Sequence, residues 1–172
     1  LKFNWKKEWI EWVENISCSI VSSKGIIDWS SKVIIINYDI VDKFKEQLKS
    51  IKFKSVVCDE SHYLKNKKAK RTQVVRKIAK KINYKFLLTG TVIVNRPVEL
   101  VSQLEIINKL EEFGGWFEFV KRYCAAYRTP FGFDTNGSSN LPELHRKLRE
   151  ICYIRREKSE VLTELPPKQR ST

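Results

Sequence analysis

Lys54-Ser55-Val56-Val57-Cys58-Asp59-Glu60-Ser61-His62 carries an apolar stretch straight into two adjacent carboxylates and then a histidine. The apolar part is too short for a helix and is rich in valine, so it reads as a buried strand that stops at the acidic pair. A second run, Lys85-Phe86-Leu87-Leu88, opens into Thr89-Gly90-Thr91, where a glycine between small hydroxyl residues lets the backbone approach a ligand or another segment closely. Two more short apolar runs lie upstream at 17–21 and 33–36, and helix-like patterns occupy 40–48 and 69–82. Strands alternating with helices predict an α/β fold built on a parallel sheet covered on both faces. Such sheets keep their functional crevice just past the carboxyl ends of the strands, which is where both the acids and the glycine segment would stand.

Further out, Trp5, Trp9, Trp12 and Ile16 recur at steps of four, three and four, one face of an amphipathic helix. A tryptophan stripe can serve as a stacking platform for nucleic acid, but at helical spacing it reads as a core-facing stripe. After Pro97 the pattern turns helical, with Val98, Val101 and Leu104 in period. The segment 130–139 reads as a turn-rich loop. Asn140 and Glu143 then have capping-box spacing ahead of Leu141, Leu144, Leu148 and Ile151, and Pro166-Pro167 reads as a linker. No internal repeat is present.

At 172 residues the chain is long enough for one domain or part of a larger one. Its 42% hydrophobic and 31% charged content, with six glycines and five prolines, excludes collagen-like and disordered classes. No apolar run approaches the ~20 residues of a membrane span, and no secretory leader pattern opens the chain, so a soluble protein of the cytoplasm or nucleus is expected. Four well-separated cysteines without a CxxC pair support neither a zinc site nor a disulfide framework. The excess of 33 Lys and Arg over 20 Asp and Glu gives a net charge of +13, which favours a polyanionic partner, although a lysine-rich proteome produces the same bias.

A carboxylate at a strand end suits Mg²⁺ held through water, and its neighbour suits activation of a water for attack on a γ-phosphate. An isolated Asp-Glu pair is also compatible with an ordinary charged loop, and a lone His62 with a surface imidazole. The wider pattern separates these readings. Asp59-Glu60-Ser61-His62-Tyr63-Leu64-Lys65-Asn66 and Leu88-Thr89-Gly90-Thr91-Val92-Ile93-Val94-Asn95-Arg96-Pro97 resemble motifs II and III of the Swi/Snf family of superfamily-two helicase-like ATPases. Asn4-Trp5 with Glu8 and Trp12 resembles the helix after motif Ia, and Ile35-Ile36-Asn37-Tyr38-Asp39 the strand end before the acidic box. Gly137-Ser138-Ser139-Asn140, Arg155-Arg156 and Leu165-Pro166-Pro167-Lys168 resemble the helical protrusion and the passage to a second lobe, in a form closest to the annealing-helicase branch. Almost the whole chain is covered.

The resemblance implies a partial RecA-like parallel sheet flanked by helices and followed by a helical protrusion. Residues 1–109 would be the later part of a first ATPase lobe, 110–165 the protrusion, and 166–172 a linker. It assigns Asp59 to Mg²⁺, through water, and Glu60 to water activation. His62 would connect the nucleotide site to motif III, and Thr89, Gly90 and Thr91 would couple nucleotide state to the gap between lobes. Val92 stands where the family commonly has proline, so a less rigid turn after Thr91 is expected than the family pattern implies. The cofactors implied are ATP and Mg²⁺, and the partner is double-stranded DNA, tracked through its backbone by strand-end loops. The matching positions are Asn37, Tyr38, Lys65, Asn66 and Arg71, the last three opening a stretch, 65–85, with ten basic residues and no acidic one.

No GxxxxGK[ST] pattern occurs in the 172 residues. The expectation is therefore part of a larger DNA-dependent ATPase and translocase, inactive by itself. Two alternatives remain: a non-catalytic basic α/β module that binds nucleic acid or protein, and, more remotely, a metal-dependent nuclease using the same acids.

Overall fold

The computed structural model describes residues 1–90, 96–130 and 132–156. Helix α1 (Lys2–Trp12) leads into β1 (Cys18–Ile20) and β2 (Val33–Ile35). Then follow α2 (Lys45–Ser50), β3 (Ser55–Cys58), α3 (Lys70–Ala79) and β4 (Tyr84–Leu87). All four strands fall within the predicted runs or a residue from them. β1 pairs parallel with β2, in register Cys18↔Val33 to Ile20↔Ile35. β3 pairs parallel with β4, Ser55↔Tyr84 to Cys58↔Leu87. Parallel neighbours need a crossover, and α3 with its flanking loops supplies the one between β3 and β4.

The parallel α/β architecture is as expected, but the pairing differs in detail: the four strands form two separate two-stranded ladders. The β3–β4 pair buries only one face. Cys58 and Leu87 pack with Leu64, Val74, Val75 and Ala79, while the cross-strand pair Val57 and Phe86 on the other face is 42% and 51% exposed. Coverage of both faces, read from the continuous apolar runs, is therefore not realised. The tryptophan stripe also departs from its reading as core. α1 packs against β1 and β2, yet none of its residues is buried, and Trp12 is 77% exposed with its indole donating only to Glu8 of the same helix. A ladder two strands wide is too narrow to cover a helix bearing three indoles.

After β4 the chain becomes helical, in α4 (Val98–Ile106), α5 (Gly115–Tyr123) and α6 (Leu141–Ile151). Leu100, Val101 and Leu104 of α4 join Phe113, Phe119, Tyr123, Leu144 and Leu148 in a second buried cluster, whereas Ile106 at the end of α4 belongs to the first. α4 is thus shared between the two cores. A short antiparallel hairpin, β5 (Tyr127–Thr129) and β6 (Gly132–Asp134), begins just ahead of the stretch read as a loop and places its second strand within it.

The capping box at Asn140 and Glu143 does not form. Asn140 adopts φ +50° and donates its amide to the carbonyl of Arg122. Glu143 instead takes a two-point contact from Arg122, at 2.7 and 2.6 Å, and the Tyr123 hydroxyl at 2.8 Å. Charged partners outcompete a backbone N–H for a carboxylate, so Glu143 clamps α6 to α5. These donors hold the Glu143 carboxyl at about 2, below its ordinary 4.5. A carboxyl depressed in the folded state stabilises fully above its unfolded value, and that stabilisation is lost as pH falls from 4.5 towards 2. Glu143→Gln is therefore expected to be less stable than the parent chain at neutral pH and equally stable near pH 2, measured by denaturant unfolding across the acid range.

Candidate functional site

The parallel register of β3 and β4 brings their carboxyl ends to one edge, and the ladder continues past it. Leu88 donates its N–H to the Cys58 carbonyl at 2.9 Å, and Ser61 returns its own N–H to the Leu88 carbonyl at 2.9 Å. The acidic turn and the approach to Thr89-Gly90 are thereby laced together. To make the return, the backbone reverses at Glu60, which has φ +48° and ψ +50°, a left-handed conformation that a non-glycine residue occupies at a cost of about 1 kcal/mol. Ser61 is fully buried, and its hydroxyl donates to Gln103 Oε1 of α4 at 3.0 Å. Beside it, the Ser102 hydroxyl donates to the carbonyls of Leu64 and Lys65. The turn is therefore fixed from below by two polar residues of a mostly apolar helix.

Asp59 is gripped from three directions. Its Oδ1 accepts the Glu60 N–H at 2.9 Å, its Oδ2 accepts the Trp5 indole N–H at 2.9 Å, and its carbonyl accepts the Tyr38 hydroxyl at 2.8 Å. Tyr38 thus reaches into the acidic turn from the end of β2, and burial, foremost, raises its phenol well above the ordinary range. The adjoining Cys58 thiol is pushed up to about 11 by burial, which keeps it protonated at neutral pH. Glu60 points outward, with Oε2 3.2 Å from His62 Nδ1. That nitrogen is shielded from solvent, and the carboxylate lies off the hydrogen-bond direction. The His62 ring lies against Tyr63 with centroids 4.5 Å apart, and Tyr63 in turn faces Tyr38 at 6.3 Å.

The positions read as nucleic-acid contacts gather around the same turn. Asn37 is exposed at the end of β2 and Asn66 at the entry to α3, where its side chain accepts the Lys68 N–H. Arg71 donates to the Tyr63 carbonyl at 2.9 Å, its guanidinium 5.9 Å from the Tyr63 ring centre. Lys65 is paired with Glu99, and Lys67 and Arg76 share Glu105. Lys85, at the end of the basic stretch, is drawn inward, and burial lowers its pKa. Lys68, Lys70, Lys77, Lys80 and Lys81 are exposed. Thr89 and Gly90 stand at the end of β4, while Thr91, Val92 and Asn95 lie outside the described residues, as does the expected linker 166–172.

Sequence reading missed Trp5 as a partner of Asp59, because helical spacing pointed it at a core. It also missed Ser102 and Gln103, whose signal was available: two polar side chains within the apolar helix Val98–Ile106, a pattern that implies a buried hydrogen-bond partner.

Residues 3–172 match the SNF2-related domain. The chain belongs to this SNF2-related family. It is 39% identical over 99% of its length to the cattle protein named DNA annealing helicase and endonuclease ZRANB3. It is also 37% identical over 89% of its length to the Drosophila SWI/SNF-related matrix-associated actin-dependent regulator of chromatin subfamily A-like protein 1. The chain spans only 17% and 20% of those relatives. The SWI2/SNF2 ATPase core of Sulfolobus solfataricus, solved in complex with double-stranded DNA, superposes with a TM-score of 0.70 over 93% of the chain and 33% of that structure, at 21% identity. That likeness fixes the fold as RecA-like, and the relatives bear out the annealing-helicase branch.

The SNF2-related chain is expected to respond sharply at Ser61. Ser61→Ala leaves Gln103 Oε1 buried without its donor and should cost about 1–3 kcal/mol, read from urea unfolding. Ser61→Ala combined with Gln103→Leu, which removes both partners, should recover part of that loss.

Proposed function

We propose that these residues form the hydrolytic edge and coupling segment of an ATP-driven translocase on double-stranded DNA. The carrying observation is the lacing of the acidic turn to the Thr89-Gly90 segment through Leu88 and Ser61. It gives a change at Asp59 or Glu60 a direct route into the strand end that the family resemblance assigns to coupling. The names of the relatives, annealing helicases among them, support DNA as the partner.

Asp59 suits a divalent cation held through water. Each carboxylate oxygen has one protein donor, which leaves a lone pair on each for the hydration shell. Among the described residues, no group of three or more His, Cys, Asp or Glu could hold a metal. That donor set agrees with Mg²⁺, which is bound by one or two carboxylates together with water and substrate phosphates rather than by an all-protein cage. When bound, Mg²⁺ supplies neutralisation of phosphate charge.

Glu60, outward-facing beside Asp59, takes the role of the base that orients and deprotonates the attacking water. His62 lies 3.2 Å from its carboxylate and limits how that carboxylate can turn. The ring contacts from His62 through Tyr63 to Arg71 lead from the base to the entry of α3, where Lys65, Asn66 and Arg71 are suited to backbone phosphates. Nothing in this set resembles a base-reading element, so recognition is by charge and shape. A glycine-lysine loop for the ATP phosphates is not among the 172 residues, so activity is assigned to the protein that brings such a loop to this edge.

In the full-length protein, Glu60→Gln is expected to retain ATP binding, measured with a fluorescent nucleotide, while DNA-stimulated turnover falls at least about 100-fold. Turnover within a few-fold of the parent protein would remove Glu60 from this role. DNA-stimulated ATP turnover by the isolated 172 residues would contradict the need for elements outside them.

A further inference from the structure

We propose that Trp5 is a positioning residue for the cation site, fixing the Asp59 carboxylate through its indole N–H. This rests on the reading of Asp59 as the Mg²⁺-holding acid and adds to it a residue to which the resemblance gave a place but no role.

The first observation is the bond itself. Trp5 Nε1 meets Asp59 Oδ2 at 2.9 Å across 54 positions of sequence, joining the helix that packs on the β1–β2 ladder to the end of the β3–β4 ladder. The second is that core packing does not explain where Trp5 sits. No residue of α1 is buried, and Trp12, on the same stripe, satisfies its indole within the helix. The polar contacts that fasten α1 to the rest of the chain include this bond and the one from Lys2 Nζ to the Val21 carbonyl at 3.0 Å.

The geometry then sets the consequence. An aspartate carboxylate rotates broadly about its last bond. With Oδ1 tied to the Glu60 N–H and Oδ2 to the indole, the plane of the Asp59 carboxylate is fixed from both sides before any cation arrives. Both donors are neutral, so they orient the group without cancelling its charge. Outer-shell partners commonly contribute 10–100-fold to metal affinity, and one that orients a carboxylate holding its cation through water belongs at the lower end of that range.

The test uses full-length protein with a non-hydrolysable ATP analogue and Mn²⁺ as a paramagnetic probe, titrated by electron paramagnetic resonance. Trp5→Phe should weaken Mn²⁺ binding about ten-fold while metal-free nucleotide affinity and the melting temperature stay close to those of Trp9→Phe, a control on the same helix. Asp59→Asn should abolish the Mn²⁺ site. If Asp59→Asn removes the site and Trp5→Phe binds Mn²⁺ like the parent, the Trp5 inference is overturned and the reading of Asp59 stands. If Asp59→Asn leaves Mn²⁺ affinity unchanged, the Asp59 reading fails and the inference with it. Should Trp5→Phe melt well below the control, a benzothienyl analogue of tryptophan at position 5, of the same shape but with sulfur in place of N–H, carries the test: loss of Mn²⁺ affinity supports positioning, and parent-like affinity refutes it.

Discussion

The hydrogen bonds exchanged between Cys58, Leu88 and Ser61 are the constraint on which the rest of the site depends. Two parallel strands of four residues each make a weak ladder alone, because parallel bonds are slanted and an isolated pair is marginal in water. This pair gains from one buried face, where Cys58 and Leu87 pack on α3, and from the return bond that folds the acidic turn back onto the end of β4. The return requires a left-handed residue at position 60, and glutamate occupies it. Glycine would adopt the conformation with less strain, so the choice of glutamate points to a use for its side chain rather than to backbone economy.

From that turn the structure is assembled by polar contacts more than by apolar ones. Trp5 comes from the helix packed on the first ladder, Tyr38 from just past the end of β2, and Ser102 and Gln103 from α4; the first three donate a hydrogen bond to the turn or to the residues just beyond it, and Gln103 accepts one from Ser61. The turn therefore sits where three otherwise separate parts of the molecule meet. On the proposed function, this convergence would let a local event at the acids bear on the strand end at Thr89-Gly90 and on the entry to α3.

The strands were legible because short Val- and Ile-rich runs bounded by polar residues have few alternatives, and their parallel pairing followed from the helical pattern at 69–82. The acidic pair was legible as a candidate through the wider pattern that resembles the Swi/Snf motifs, because two charges that follow an apolar strand fit an ordinary charged loop equally well by themselves. What the sequence concealed has physical causes. Periodicity reports which face of α1 is apolar but not whether a broad enough surface exists to receive it, so the indoles of Trp5 and Trp12 were misjudged. Spacing reports that Asn140 and Glu143 can form a capping box, but not that Arg122 and Tyr123 offer Glu143 stronger partners. Tyr38 was assigned to phosphate contact by the family resemblance, and the fold adds what the sequence could not show, that its hydroxyl donates to the Asp59 carbonyl.

The charge distribution bears on the same surface. Ten basic residues in 65–85 contain no acid of their own, yet Glu99 and Glu105 of α4 reach across to Lys65, Lys67 and Arg76. On the proposed function, these pairs do not keep the basic surface from meeting phosphates. Lys65 is largely exposed, and an exposed ion pair contributes at most about 1 kcal/mol, whereas a duplex phosphate that displaces the carboxylate also releases condensed counterions. Exchange of Glu99 for phosphate at Lys65 is thus nearly neutral in contact energy and favourable in ion release. It would free Glu99 on the first turn of α4, the helix whose Gln103 holds Ser61. On the proposed function, phosphate contact near Lys65 and the support of the acidic turn would both fall on this one helix, through Glu99 and Gln103.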